Sequence, residues 1–128
     1  MTWRVRAVDV TMRCTVIELE RDGDSLIGLW MGSYFPQKGD NFYIELNVDA
    51  VLPGWLCEEN ADISLGAKVA ADYNEIKVLV ESVEEDGVHF MRLSPDLIIM
   101  IEIQGRLLKV GNFYKISIPC TQTLIYAC

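Results

Sequence analysis

Apolar and polar side chains alternate along residues 42–49 more regularly than anywhere else in the chain. The apolar set is Phe42, Ile44, Leu46 and Val48, and the set between them is Tyr43, Glu45, Asn47 and Asp49. Successive side chains of a β-strand point to opposite faces, so this pattern predicts a strand with one buried and one solvated face. Such strands belong to antiparallel sheets.

The same rhythm continues along most of the chain. The segments with strand patterns are 3–10, 13–20, 25–31, 75–84, 88–93, 97–103, 112–118 and 124–127. Turn signals separate them at intervals of roughly ten residues, and the pairs Asp22-Gly23 and Asp86-Gly87 predict two hairpin turns. No amphipathic helix longer than about ten residues is visible. We therefore predict one all-β domain over residues 1–128, a mostly antiparallel β-sandwich or partly open β-barrel of about eight or nine strands.

A short segment of the chain is repeated. Residues 38–46 and 109–117 each contain a glycine turn, then Asn-Phe-Tyr, then an alternating run. The repeat predicts two similar turn-and-strand corners, with chance similarity as the alternative.

The middle of the chain is harder to interpret. Residues 50–65 combine a Pro-Gly turn with an acidic run, which fits an irregular loop or a short helix. Residues 66–72 fit a strand or one helical turn, followed by a turn at Tyr73 and Asn74. We expect at most one short helix, near residues 58–70.

The run 97–103 is continuously apolar or β-branched apart from one glutamate. This composition predicts a strand that is covered on both faces. Its strongly apolar part is too short to span a bilayer, and the N-terminus lacks the apolar core of a secretory signal. We therefore expect a cytoplasmic protein that does not enter a membrane.

The cysteine and histidine content does not indicate a metal site. Cys14, Cys57, Cys120 and Cys128 form no C-x-x-C pair, and His89 is the only histidine. We expect free thiols, although four cysteines would permit two disulfides. Cys14 and Cys120 are predicted core residues, and Cys128 is predicted to be exposed.

No segment carries a catalytic motif. G-x-S-x-G, P-loop and H-E-x-x-H patterns are all missing from the sequence. His89 fits an ordinary half-exposed strand position, and most carboxylates lie at predicted turn tips, where water solvates them. We therefore predict a protein that is not an enzyme, with no catalytic residue, metal or cofactor.

The acidic residues are concentrated in short segments. Eleven of the nineteen lie in three clusters: Glu18, Glu20, Asp22 and Asp24; Glu58, Glu59 and Asp62; and Glu81, Glu84, Glu85 and Asp86. If the clusters meet at one end of the sheet, they form a surface that attracts a cationic protein. The alternative is that polar hairpin tips merely keep the protein soluble.

The formal net charge of −8 would repel nucleic acid and anionic membranes, and it would attract a basic protein. Trp55 adds an aromatic side chain of the type that anchors interfaces. The candidate partner-binding residues are therefore Asp22, Asp24, Trp55, Glu58, Glu59, Asp62, Glu84, Glu85 and Asp86.

The acidic clusters and the closing segment 110–119, Val-Gly-Asn-Phe-Tyr-Lys-Ile-Ser-Ile-Pro, resemble immunity proteins of bacterial contact-dependent or polymorphic toxin systems. The resemblance covers composition and that segment. It implies a cytoplasmic inhibitor that covers the active site of a basic nuclease toxin and presents carboxylates where the toxin expects phosphates.

Two other classes of function stay open. A small-ligand binder would use the interior of a β-barrel and would need an apolar cavity. A structural subunit, or an acidic chaperone for a secreted protein, would use an exposed apolar edge such as residues 97–101. The oligomeric state is left open by the sequence.

Overall fold

The structure is a computed structural model that describes residues 2–128. Those residues form thirteen β-strands and two single-turn 3₁₀ helices. The strands are β1 Trp3–Val10, β2 Thr15–Arg21, β3 Asp24–Trp30, β4 Asn41–Phe42, β5 Ile44–Val48, β6 Leu52–Pro53, β7 Cys57–Glu59, β8 Gly66–Ala70, β9 Tyr73–Val83, β10 Val88–Ser94, β11 Leu97–Gln104, β12 Phe113–Pro119 and β13 Thr123–Ala127. The 3₁₀ helices are Gly54–Leu56 and Cys120–Gln122.

The prediction of an all-β, mostly antiparallel fold is confirmed. The strand count is higher than predicted because β4, β6 and β7 are only two or three residues long. Segments of that length show no alternation in a sequence. The short helix expected near residues 58–70 is not present, because those residues form the end of β7, a loop and β8.

The strands form one open, mixed sheet. Its order is β4-β1-β2-β3-β13-β5-β11-β10-β9-β12-β7, with β6 added to β11 and β8 added to β9. Neighbours along this order are antiparallel except for β3 with β13 and β5 with β11. The sheet therefore joins distant parts of the chain: the last strand, β13, lies between β3 and β5.

The sheet curves until β8 faces β3, and side chains of β3 bridge the two strands. The N–H of Ala67 donates to Asp24 Oδ1 at 3.2 Å, and the N–H of Val69 donates to Ser25 Oγ at 2.9 Å. These bonds take the place of a backbone ladder between β3 and β8.

A buried asparagine reinforces this contact. Asn74 of β9 accepts the N–H of Ile27 at 2.8 Å and donates to the carbonyl of Ile27 at 2.6 Å. Its Nδ2 also donates to Thr123 Oγ1 at 2.9 Å. One fully buried amide therefore holds β9, β3 and β13 together.

The hydrophobic core lies inside this curve and takes alternate residues from most strands. Its largest fully buried side chains include Trp3, Ile17, Leu19, Leu26, Ile76, Met91, Leu93, Ile99, Ile101, Tyr114 and Ile116. Strand β11 is buried on one face only, because Ile98 and Met100 are 46% and 49% exposed. The prediction that this strand is covered on both faces is therefore wrong for the chain alone.

The turn predicted at Tyr73 and Asn74 lies two residues earlier. Ala71 takes a φ of +55°, and β9 already begins at Tyr73. Nothing in the composition of Ala71 and Asp72 marks a turn, whereas the Asp22-Gly23 turn forms as predicted, with φ values of +44° and +86°.

The repeated segments are alike only in their turns. Gly39 and Gly111 both take positive φ, at +95° and +87°. However, Tyr43 is exposed, whereas Tyr114 is buried. Ile44 and Leu46 are buried in the first copy, and Tyr114 and Ile116 in the second, so the two copies bury opposite sets of side chains.

All four cysteines are free, as predicted. Cys128 is exposed as expected, but Cys14 is also exposed and Cys120 is only half-buried. Cys57 is the buried thiol, and burial raises its pKa to about 11. Within residues 2–128, no helix is long and apolar enough to cross a membrane.

A buried arginine links the β2–β3 hairpin to the turn between β10 and β11. Arg21 Nη1 lies 3.2 and 3.0 Å from the two carboxylate oxygens of Asp96, and Nη2 donates to Ser94 Oγ at 2.9 Å. Its guanidinium carbon is 4.4 Å from the centre of the Trp3 ring. The hydrogen bonds from Ser94 and Arg21 lower the pKa of Asp96 to about 2.

This network predicts a loss of stability in acid. The folded pKa of Asp96 lies below its ordinary value of 3.8, so the ionised carboxylate stabilises the fold above pH 4. That contribution should be lost as the pH falls from about 4 to about 2. Replacing Asp96 with asparagine should flatten the pH dependence of the urea midpoint in this window, whereas Asp9→Asn should leave it unchanged. Equal pH profiles for wild type and Asp96→Asn would contradict the assignment.

Candidate partner-binding surface

The third acidic cluster lies at the hairpin tip between β9 and β10. The turn is closed by the N–H of Glu84, which donates to the carbonyl of Val88 at 2.8 Å, and by Gly87, whose φ is +91°. Glu84, Glu85 and Asp86 are exposed, and none of them forms an ion pair within residues 2–128. The tip therefore carries uncompensated negative charge.

The tip is attached to the end of β11. The carbonyl of Gly87 accepts the N–H of Ile103 at 3.0 Å. A Cβ on Gly87 would lie only 3.0 Å from the carbonyl oxygen of Ile103, so this glycine permits the close approach. The acidic tip consequently lies beside the loop that follows β11.

That loop, residues 105–112, carries exposed apolar side chains. Leu107 and Val110 are exposed, whereas Leu108 between them is buried. The loop returns to the sheet through Gly111, whose N–H donates to the carbonyl of Val80 at 2.8 Å. The hydroxyl of Tyr114 also accepts the N–H of Lys109, at 3.0 Å.

His89 connects the loop to the acidic tip. It is completely buried, so the prediction of a half-exposed histidine is wrong. Its Nδ1 lies 2.7 Å from the carbonyl of Gly87, and its Nε2 lies 3.0 Å from the N–H of Leu108. The tautomer protonated at Nδ1 satisfies both bonds, because Nε2 then accepts from Leu108. Both ring nitrogens are thus used in positioning the tip and the loop.

Trp55 lies on the other side of the same loop. It belongs to the 3₁₀ helix Gly54–Leu56 and is 79% exposed. This turn, Gly105 and Arg106 together line a hollow of about 420 Å³. Arg106 anchors the arrangement, since its Nη1 donates to the carbonyl of Cys57 at 3.1 Å.

The second acidic cluster contributes only partly to this region. Glu59 Oε1 accepts from Asn112 Nδ2 at 3.2 Å, which places Glu59 beside the end of the loop. Glu58 is paired in the ladder with Lys115, and the pKa of Lys115 is raised mainly by its hydrogen bond to Glu75. The charge of Glu58 is therefore partly compensated, and Asp62 lies exposed in the loop between β7 and β8.

The first cluster lies elsewhere. Asp22 and Asp24 line a hollow together with Ser94 and Asp96, at the end of β10 opposite Val88. Seven residues of β10 separate these two ends, or about 20 Å at the rise of an extended strand. Asp22 and Asp24 therefore cannot share one contact area with the tip at Glu84.

We define the end surface as the residues that meet around loop 105–112. They are Trp55, Glu59, Glu84, Glu85, Asp86, Leu107 and Val110. The surface combines three exposed apolar side chains with four carboxylates. Within residues 2–128, no group of three or more histidine, cysteine or acidic side chains could hold a metal ion.

Comparison with protein-family models, with curated protein sequences and with solved structures gives no match to this chain.

Sequence patterns indicated part of the end surface. Trp55 and the acidic tip were predicted, but Leu107 and Val110 were not, because apolar residues next to a glycine turn resemble the start of a strand. Their separation by the buried Leu108 was the only available signal.

Removing the His89 side chain should destabilise the fold and loosen the end surface. In His89→Ala, the N–H of Leu108 loses its acceptor, the carbonyl of Gly87 keeps only the N–H of Ile103 as a donor, and a cavity is left, at a cost of about 3 kcal/mol. Urea unfolding would measure this loss, and hydrogen exchange at the amide of Leu108 would report the released loop. The exposed Ser82→Ala variant serves as the control. A loss below about 1 kcal/mol would show that the two bonds contribute little.

Proposed function

We propose that this protein is a non-enzymatic inhibitor that binds a basic protein, in the manner of an immunity protein that neutralises a nuclease toxin. One observation carries the proposal. Exposed Trp55, Leu107 and Val110 are grouped around one loop with the unpaired carboxylates of Glu84 and Glu85. An apolar centre with a charged rim is the composition of protein-binding surfaces.

Each part of the end surface has a distinct role in such binding. The net charge of −8 and the acidic tip attract a cationic partner and raise the association rate. Trp55 supplies the large contact area that slows dissociation. The carboxylates of the tip would occupy the positions that nucleic-acid phosphates take in the active site of a nuclease, which would block the substrate.

The first test is affinity purification of the tagged protein from lysate of its own cells, at about 50 and 300 mM salt. We expect one basic protein to be retained in a near-stoichiometric amount at low salt and to be released at higher salt. Its activity should then be inhibited by the purified chain. Failure to retain any basic protein would contradict the proposal.

Reversal of charge at the tip should weaken this binding. We expect Glu84→Lys combined with Glu85→Lys to raise the Kd at least about tenfold, mainly through slower association. The matched control is Asp9→Lys with Asp72→Lys, which makes the same change in net charge away from the end surface. Surface plasmon resonance would separate the two rates. Equal losses of affinity in the two double variants would show that net charge alone causes the effect.

Truncation of Trp55 should act on dissociation instead. Because the side chain is 79% exposed, Trp55→Ala should leave the urea midpoint unchanged. Loss of a buried interface anchor costs about 2 kcal/mol, which corresponds to roughly a 30-fold higher Kd. Tyr73→Ala, an exposed aromatic residue at the start of β9, is the control. Unchanged affinity of Trp55→Ala would remove Trp55 from the interface.

A further inference from the structure

The outer face of β11 carries two apolar side chains that nothing within residues 2–128 covers. Ile98 and Met100 point outwards and are 46% and 49% exposed. A strand that is apolar on both faces is the pattern of a strand buried on both faces. The composition of β11 therefore suits a second covering layer, which the described residues 2–128 do not supply.

The apolar face continues across neighbouring strands. Met100 is opposite Phe90 of β10 on one side and Asn47 of β5 on the other. Asn47 is opposite Leu124 of β13, and Leu124 is opposite Leu29 of β3. Four apolar side chains thus lie in one row across the outside of the sheet, interrupted only by Asn47.

A groove between β5 and β11 crosses this row. These parallel strands are joined at a single residue pair, Met100 with Asn47, and a hollow of about 470 Å³ lies beside it. Ile98, Met100 and Glu45 are among its lining residues. The face is therefore concave enough to receive side chains from a partner.

One border of the row is acidic. Asp49 follows Asn47 by two positions just past the end of β5, and Glu102 follows Met100 by two positions within β11. Both are exposed, and no lysine or arginine within residues 2–128 forms an ion pair with either. Two exposed carboxylates without a cationic partner favour a cation from outside the chain.

We propose that the outer face of β13, β5, β11 and β10, centred on Ile98 and Met100, is a second docking surface. Its partner is a protein segment whose apolar side chains are bordered by lysine or arginine. The apolar row would cover the apolar side chains of this segment, and Asp49 and Glu102 would pair with its lysine or arginine side chains. This proposal does not depend on the inhibitory function of the end surface.

A second copy of the chain fits this face less well. Two copies would each bring a net charge of −8 and would place additional carboxylates near Asp49 and Glu102. Arg92, the cation opposite Ile98, is already paired with Glu81 at 2.9 Å. Charge complementarity therefore favours a basic partner over self-association.

The probe is a fluorescent synthetic helix of leucine, alanine and lysine, with a leucine stripe edged by lysine. Binding is measured by fluorescence anisotropy. The matched probe carries glutamate in place of every lysine. The protein variants are Ile98→Ser with Met100→Ser, Asp49→Asn with Glu102→Gln, and, as a control away from both proposed surfaces, Met12→Ser with Ile63→Ser, which are exposed apolar residues. Circular dichroism and urea unfolding confirm that each variant is folded.

We expect the lysine peptide to bind wild type and the glutamate peptide not to bind. The Ile98–Met100 variant should lose affinity by at least about tenfold, and the Asp49–Glu102 variant by about threefold. The control variant should bind as wild type does. A lysine peptide that fails to bind, equal binding of both peptides, or a loss confined to the control variant would each overturn the proposal. So would a wild-type dimer in sedimentation that the Ile98–Met100 variant abolishes.

Discussion

The buried amide of Asn74 holds together the parts of the sheet that the backbone ladder leaves apart. The order of strands has two free ends, and β8 meets β3 only through side chains. Asn74 is fully buried, and its bonds to Ile27 and Thr123 connect β9 to β3 and β13. An unpaired amide in the core would be costly, so this arrangement is specific as well as stabilising. Without it, only the bonds of Asp24 and Ser25 to β8 and apolar contacts would hold the curve that encloses the core.

The curvature of the sheet that Asn74 stabilises also determines where the acidic clusters lie. It brings the β2–β3 hairpin against β8 and next to Ser94 and Asp96, where Arg21 fixes it. The tip at Glu84 lies at the other end of β10. Two of the four carboxylates of the first cluster have cationic neighbours: Glu20 and Glu18 lie 3.9 and 3.8 Å from Arg4 and Arg6. The unpaired acid is therefore concentrated at the end surface and along the outer face of β11.

Local patterns predicted the elements of this fold better than their arrangement. Alternation located nearly every long strand, and Asp-Gly pairs located two hairpins, because both signals arise from neighbouring residues. The parallel contact of β3 with β13 joins residues nearly a hundred positions apart, and no local pattern specifies it. The opposite burial of Tyr43 and Tyr114 depends on which face of each strand meets the core, and their shared Asn-Phe-Tyr residues do not specify that face. The burial of His89 has the same origin, since its partner Leu108 lies 19 positions away, in the loop between β11 and β12.

The two proposed surfaces meet at the β9–β10 hairpin. Glu84 donates its N–H to Val88, and Val88 is opposite Glu102, so the acidic tip continues directly into the acidic border of the outer face. Uncompensated carboxylates therefore run from the end surface to Asp49 without an intervening cation on β10 or β11 at that border. A large basic partner that docks on Trp55 would meet this border next. Because Coulomb attraction extends about 10 Å at 0.1 M salt, each surface would raise the rate at which such a partner finds the other. The position of His89 beneath this hairpin then matters for both surfaces, since it fixes the strand from which the two acidic regions project.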